Sequence, residues 1–572
     1  MDSDEESQKE NAIARRALAA WQNSIKKNIY QMDSGFKHSI AQYLVSIKPN
    51  IDQELTDFAD KIVAELEPLV IENNLPLNLP RIEHDDPIGN KIEKIIHHPT
   101  YEAAGNIIYG SRILERMARP GGLLEALVFM FLSSQAGEAG HNCPLACSGG
   151  IIRVLQKVED FPSKSYYLKM LVDPSYSNNF TGAQFITEIQ GGSDVGQNAT
   201  LAYEGSEGNW YIKGEKWFCS NADAELMLVT ARFNQSIEGT SGLGLFLVPA
   251  QLPSGERNNY TMRRLKDKIG TRSLATAEIE FHEAFAIPMG TPSEGFKLLM
   301  ENVLHLSRLF NTFCVLGMAR RAYFIALSYA KHRVAFGNPI IDFPLVKENL
   351  ARINAENTAM LAFIFATTQL QDDFDLGKLS GQETKLLLRS LANLNKYLSA
   401  LWSVEHIHHA LDTLAGNGAI ESFSTIPRLL RDCIVCENWE GTHNILRMQI
   451  LRDILRYHVD EILMQRLQAV LANLKAEEKY RQVIEDGIKA IKKDVEILKA
   501  ASAEMQSLLI KSVVDQFAIL FCAVHLLSEA ISQKKSGDES KFHCLDYFIA
   551  IHFSKRPIVY DQTYLDMIKA MF

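Results

Sequence analysis

Two short runs hold the side chains best suited to chemistry. The first is Asn438-Trp439-Glu440-Gly441-Thr442, where one carboxylate stands at a Gly-containing bend after a helix-like stretch. The second is Thr187-Glu188-Ile189-Gln190-Gly191-Gly192-Ser193-Asp194, a loop of small and hydroxyl-bearing residues after a strand-like segment. A carboxylate whose pKa is lifted towards neutrality by partial burial serves as a general base. Gly441 allows the chain to bend closely beside a ligand. On composition alone, a helix cap or a solvated acid is the more economical reading of Glu440, and either run by itself is a weak signal.

The elements that must position these runs follow an order of helices, sheet, helices. From about residue 11 to residue 174 the pattern is helical with few strand signals; Leu55, Phe58, Ile62, Val63 and Leu66 fall near one face. Short alternating or β-branched runs follow at 184–188, 199–204, 210–213, 226–230, 243–248 and 277–281, separated by turns rich in Gly, Ser and Asn. Long helical patterns return at 296–310, 314–335, 344–372 and 381–415. Segregation of this kind predicts an α+β, mainly α protein with separate modules rather than a doubly wound sheet. The boundaries expected are 1–178 for an N-terminal helical domain, 179–290 for a middle β-barrel or sandwich domain, 291–458 for a helical bundle carrying Glu440, and 459–572 for an additional helical C-terminal domain. In the last, Ile491, Val495, Leu498 and Met505, with Ser502, read as one packing face, and 536–540 as a loop.

At 572 residues the chain exceeds a single core, and a net charge of −10 disfavours non-specific attraction to nucleic acid or anionic membrane. No run reads as long enough to cross a bilayer; 124–132 and 517–527 read as core helices. The acidic start, Met1-Asp2-Ser3-Asp4-Glu5-Glu6, is unlike a targeting segment. Eight cysteines in this length do not make a disulfide scaffold, Cys433 and Cys436 lack a second ligand pair for zinc, and a reducing cytoplasmic setting is expected. His406 and His409 share a helical face without a third convergent ligand and read as surface or interface residues. Basic clusters at Lys489, Lys492 and Lys493, at Lys534-Lys535 and at Lys555-Arg556 read as solvated helix faces, because the segment from Asp460 balances them with acids.

Three more runs complete an ordered set: Gly214-Glu215-Lys216-Trp217-Phe218-Cys219-Ser220-Asn221, Arg333-Val334-Ala335-Phe336-Gly337 and Leu414-Ala415-Gly416-Asn417-Gly418. With Thr187–Asp194 and Glu440-Gly441-Thr442, the chain resembles the acyl-CoA dehydrogenase superfamily from about residue 50 to residue 455. The resemblance implies bound FAD, an acyl-CoA substrate, and Glu440 as the base that removes the α-proton while a β-hydride passes to flavin N5. It implies that Thr187 and Ser220 place hydroxyls near the isoalloxazine, that Phe218 lines the ring, and that Ser193 bonds the pyrophosphate. Arg333 and Phe336, from a neighbouring subunit, are implied at the pyrophosphate and adenosine end beside the backbone of Gly416. Thr442 and Asn444 are implied to touch the flavin behind the base. Some family members carry the base on an earlier helix just before an Arg; here that Arg is Arg308, implied at the substrate, and Ser307 precedes it, which leaves Glu440 as the base. Ala335 stands where the family often has Thr, removing one hydroxyl, and Asp412 where Gln is common; FAD is still expected to bind, less tightly or with altered adenosine contacts.

Trp439 before the Glu, the Gln190–Val195 run, the Leu265–Ser273 run and the additional C-terminal domain are similar to the AidB-like branch. This implies a homotetramer assembled as a dimer of dimers and medium- to long-chain substrates. Electrons are then expected to pass to an electron-transferring flavoprotein, or to oxygen in an oxidase variant. The alternative is a weakly active flavoprotein that sequesters acyl-CoA or binds nucleic acid under stress.

Overall fold

The computed structural model describes residues 2–137, 139–554 and 562–572, without the side chains of residues 2–7. The Lys555-Arg556 cluster lies outside them. Glu65–Met130 and Glu138–Asn311 form one compact unit, and Met1–Ala64, Phe131–Gly137 and Thr312–Phe572 form the other.

The first unit is built around a sheet that closes on itself. Its strands are β3 (Gly182–Phe185), β4 (Leu201–Glu204), β5 (Trp210–Ser220), β6 (Leu226–Arg232), β7 (Leu243–Pro249), β8 (Tyr260–Leu265) and β9 (Thr276–Pro288), after a separate hairpin of β1 (Arg81–Asp85) and β2 (Lys91–Ile96). β4 pairs with β5, β5 with β9, β9 with β7, β7 with β6, and β6 returns to β4 through Arg232 opposite Leu201. β3 and β8 flank this ring on β6 and β9. β6 and β7 read as nearly continuous apolar runs because both of their faces are buried. Phe185, Ile212, Val229, Phe246, Ile279 and Phe281 meet in the core. The Ala139–Lys157 helix packs on the start of β3, where the Gly182 amide donates to Ser148 Oγ at 2.9 Å.

Two departures from the sequence expectation lie here. β8 was not predicted, because Tyr260-Thr261-Met262-Arg263-Arg264-Leu265 alternates weakly and carries two arginines. The β1–β2 hairpin interrupts the region expected to be helical; Glu93 carries it onto the barrel by accepting from the Met262 amide at 2.6 Å.

The second unit is a bundle. Its central helices, Pro344–Asp375 and Gln382–Thr413, are buried along most of their length, so their inward polar groups pair with each other. Asn395 donates to Thr367 at 2.9 Å, for example. Ile426–Asn438 and His443–Tyr457 follow, and then the C-terminal helices Val459–Ala472, Glu478–Ala500, Ala503–Lys534 and Ser540–His552. The predicted loop at 536–540 separates the last two.

Three readings are corrected in this unit. Ser502 and Met505 do not continue the face of Ile491, Val495 and Leu498: the helix ends at Ala500, Ser502 caps the next helix, and Met505 is half exposed. His406 is not a surface residue. It is 1% exposed and bonded at 2.7 Å to the buried carboxylate of Glu356, which also meets His552 at 3.0 Å. Burial opposes ionisation of Glu356, but the two histidines outweigh it and hold the carboxyl far below its ordinary range. Finally, Ala503–Lys534 is long and apolar enough to cross a membrane by length and composition. It is packed into the bundle through Phe517, Phe521 and Val524, and its apolarity is that of a core helix.

Candidate active site

In the first unit, the Thr187–Asp194 run is shaped by Glu188. The Glu188 amide donates to Gly191 O at 3.0 Å, and the Gly191 amide returns a bond to Glu188 O at 3.2 Å. A Cβ on Gly191 would stand 2.5 Å from Asn198 Oδ1 and 2.7 Å from the Asp194 carbonyl, so the turn admits only glycine. The Glu188 carboxylate is 4% exposed and accepts from the Ala199 amide at 2.7 Å, from Gln190 Nε2 at 2.7 Å and from Lys216 Nζ at 2.6 Å. Lys216 is fully buried on β5. The ion pair therefore fastens the loop bearing Thr187 and Ser193 to the strand bearing Phe218 and Ser220, and a bond from the Trp217 amide to Thr187 O at 2.9 Å completes the join. Neither Glu188 nor Lys216 received a role from the sequence. Their positions inside two neighbouring motifs were the available signal.

These anchors leave the predicted residues at an accessible face of the sheet. Thr187 and Ser220 are half-buried and Ser193 is exposed. Phe218 is 51% exposed, unusual for a phenylalanine in a strand, beside the buried Cys219. Ser220 Oγ lies 3.1 Å from Thr276 Oγ1, which also accepts from Lys268 at 2.8 Å. Lys266 Nζ stands 3.3 Å from the Trp217 ring centroid, an added cation–π contact. Hydroxyls, an exposed aromatic face and a side-chain-free turn fit a dinucleotide bearing a flat ring. Arg308 is also in this unit and is buried, 3% exposed.

In the second unit, the Ile426–Asn438 helix stops at Trp439, whose backbone is extended, and Glu440 then takes φ +59° before Gly441 at φ +106°. A left-handed conformation costs a non-glycine residue on the order of 1 kcal/mol, so the turn is held by its surroundings. The Glu440 side chain is half-buried, while Thr442 and Asn444 are exposed at the start of the next helix. Thr442 precedes that helix without making a side-chain cap. The holding group is Lys396, fully buried, which donates to Glu437 O at 2.8 Å and to Gly441 O at 2.7 Å. A buried lysine reads in sequence as a surface one, and no signal pointed to it.

The remaining predicted residues gather at another place in this unit. Arg333 is exposed and opens a tight hairpin of β10 (Val334–Ala335) and β11 (Asn338–Pro339). Phe336 at φ +51° and Gly337 at φ +82° form its tip, and Phe336 is 94% exposed. Tyr329, one turn before Arg333, accepts from Asn417 at 3.1 Å. That bond ties the Leu414–Gly418 run to the helix that precedes the hairpin, and Gly416 faces open space. No cluster of three or more His, Cys, Asp or Glu suited to a metal occurs among the described residues.

Comparison with known proteins finds two matching domain families. Residues 183–284 match the acyl-CoA dehydrogenase middle domain, and residues 293–455 match the acyl-CoA dehydrogenase C-terminal domain. The chain is 28% identical to acyl-CoA dehydrogenase family member 11 of Caenorhabditis elegans over 88% of its own length and 84% of that protein's. It is 29% identical to the putative acyl-CoA dehydrogenase AidB of Escherichia coli strain K12, over 69% and 74% of the two chains. Its fold superposes on the crystal structure of Caenorhabditis elegans ACDH-11 in complex with C11-CoA with a TM-score of 0.84, at 24% identity, covering 95% of this chain and 94% of that one. The chain thus carries matches to two acyl-CoA dehydrogenase domains and is similar along most of its length to AidB-like relatives.

Proposed function

We propose that the protein is an FAD-dependent acyl-CoA dehydrogenase that oxidises medium- to long-chain acyl-CoA, with Glu440 as the catalytic base. The observation that carries this reading is the backbone of Glu440: an acid held in a left-handed, clamped turn at the family's base position is costly for a mere solvated carboxylate. The residues of the first unit suit FAD, with Thr187 and Ser220 offering hydroxyls to the ring, Phe218 offering a face, and Ser193 standing free for a phosphate. Bound flavin supplies the hydride acceptor. Glu440 takes the proton from the carbon next to the thioester, and the fixed turn keeps its carboxylate aimed rather than mobile. The exposed Phe336 hairpin and Arg333 suit a surface completed by another copy, which supports a tetrameric assembly. That the relative ACDH-11 is seen with C11-CoA supports a substrate of that size class.

The test is anaerobic titration of the purified flavoprotein with saturated acyl-CoAs of graded length. Bleaching of the flavin that peaks at medium or long chains, and is lost in Glu440→Gln, is the expected outcome. Tight acyl-CoA binding without bleaching in the parent protein would instead mark a sequestering protein.

A further inference from the structure

We infer that Lys396 is a positioning residue for the base, acting through the backbone of the turn that carries it; this rests on Glu440 being the base. The ammonium is fully buried, and its two carbonyl acceptors lie on either side of Glu440. Glu437 O belongs to the last turn of the Ile426–Asn438 helix, where a lysine commonly serves as a cap. Gly441 O does not: it lies past the reversal, beyond the strained residue. One cation therefore spans the turn, and Glu440 cannot relax to an ordinary conformation without breaking a charge-assisted hydrogen bond in a dry site.

The clamp is itself braced. Tyr397, the next residue, donates to Asp515 on the C-terminal Ala503–Lys534 helix and accepts from Arg447, which in turn donates to Asn444 Oδ1 at 2.8 Å. The same stretch of the Gln382–Thr413 helix thus grips the base turn on one side and the additional C-terminal domain on the other. The C-terminal domain thereby fixes the platform from which Lys396 holds the turn.

The experiment compares parent, Lys396→Met and Glu440→Gln holoproteins in three measurements: amide hydrogen exchange across residues 438–443, the dissociation constant for acyl-CoA, and the single-turnover rate of flavin bleaching. In Lys396→Met the turn is expected to exchange about 10-fold faster. Bleaching should slow about 100-fold, with acyl-CoA affinity within about 3-fold of the parent. A purely structural lysine would lower stability without separating rate from affinity. Exchange and bleaching both within about 2-fold of the parent would overturn the proposal. Should Lys396→Met fail to fold, Lys396→Gln puts a neutral amide donor on a shorter stem, and the same measurements on it decide. If Glu440→Gln bleaches like the parent, the base assignment fails, and turn exchange in Lys396→Met still judges the clamp separately.

Discussion

Glu188 Oε1 and Lys216 Nζ lie 2.6 Å apart inside the β unit, with both side chains almost wholly removed from solvent. They join the loop of Thr187 to the strand of Ser220, so two segments proposed to touch one cofactor are tied by charge before any cofactor arrives. Burial raises the pKa of Glu188, but the Lys216 ammonium and the amide of Ala199 outweigh it and hold the carboxyl below its ordinary 4.5. The stabilisation is therefore complete above that value and is lost as pH falls through the lowered one. Glu188→Ala strands a buried ammonium and should cost about 3–5 kcal/mol. Melting measured from pH 7 down to pH 3 should show the parent losing more stability on acidification than the variant does.

Gly191→Ala tests the turn itself. Its added methyl meets a backbone carbonyl at 2.7 Å, which cannot be moved aside as a side-chain tip can. A loss of about 1–3 kcal/mol is expected, with a lower flavin-to-protein ratio after gel filtration.

Glu440→Asp keeps the charge and a residue type that tolerates the left-handed turn but withdraws the carboxylate by one methylene. Bleaching by acyl-CoA should slow by about 100-fold while flavin content and acyl-CoA affinity are retained. A rate equal to the parent's would show that the carboxylate's reach does not matter.

Phe336→Ala removes a ring that is 94% exposed, so the protomer's own fold should change by no more than about 0.5 kcal/mol. Retention of flavin at low protein concentration should nevertheless fall, together with assembly seen by sedimentation. Unaltered retention and assembly would detach the hairpin from any neighbouring copy.

What was legible in the sequence was the part governed by local rules. Glycines marked the loop at Gly191 and the bend at Gly441, and apolar runs marked β6 and β7. What escaped was decided by distant partners. Lys216 and Lys396 carry the commonest surface side chain, and only the acceptors that folding brings to them make burial tolerable. His406 looked like part of a polar helix face until Glu356, from another helix, enclosed it. β8 was hidden because Arg263 and Arg264 are expected outside sheets, yet each finds a carboxylate on β9, Glu280 and Glu278.

The ring of β4, β5, β9, β7 and β6 has a further consequence for how safely this chain can be made. A sheet that rejoins itself offers little border for another molecule's strand to extend. Among the described residues of the ring's sheet, the flanking strands are β3 and β8, of four and six residues. The long, apolar β6 and β7, which would otherwise be the most adhesive segments of the protein, are enclosed within it. Any substitution that parts Leu201 from Arg232 opens the seam at its narrowest point, and should first be seen as aggregation during expression rather than as lost catalysis.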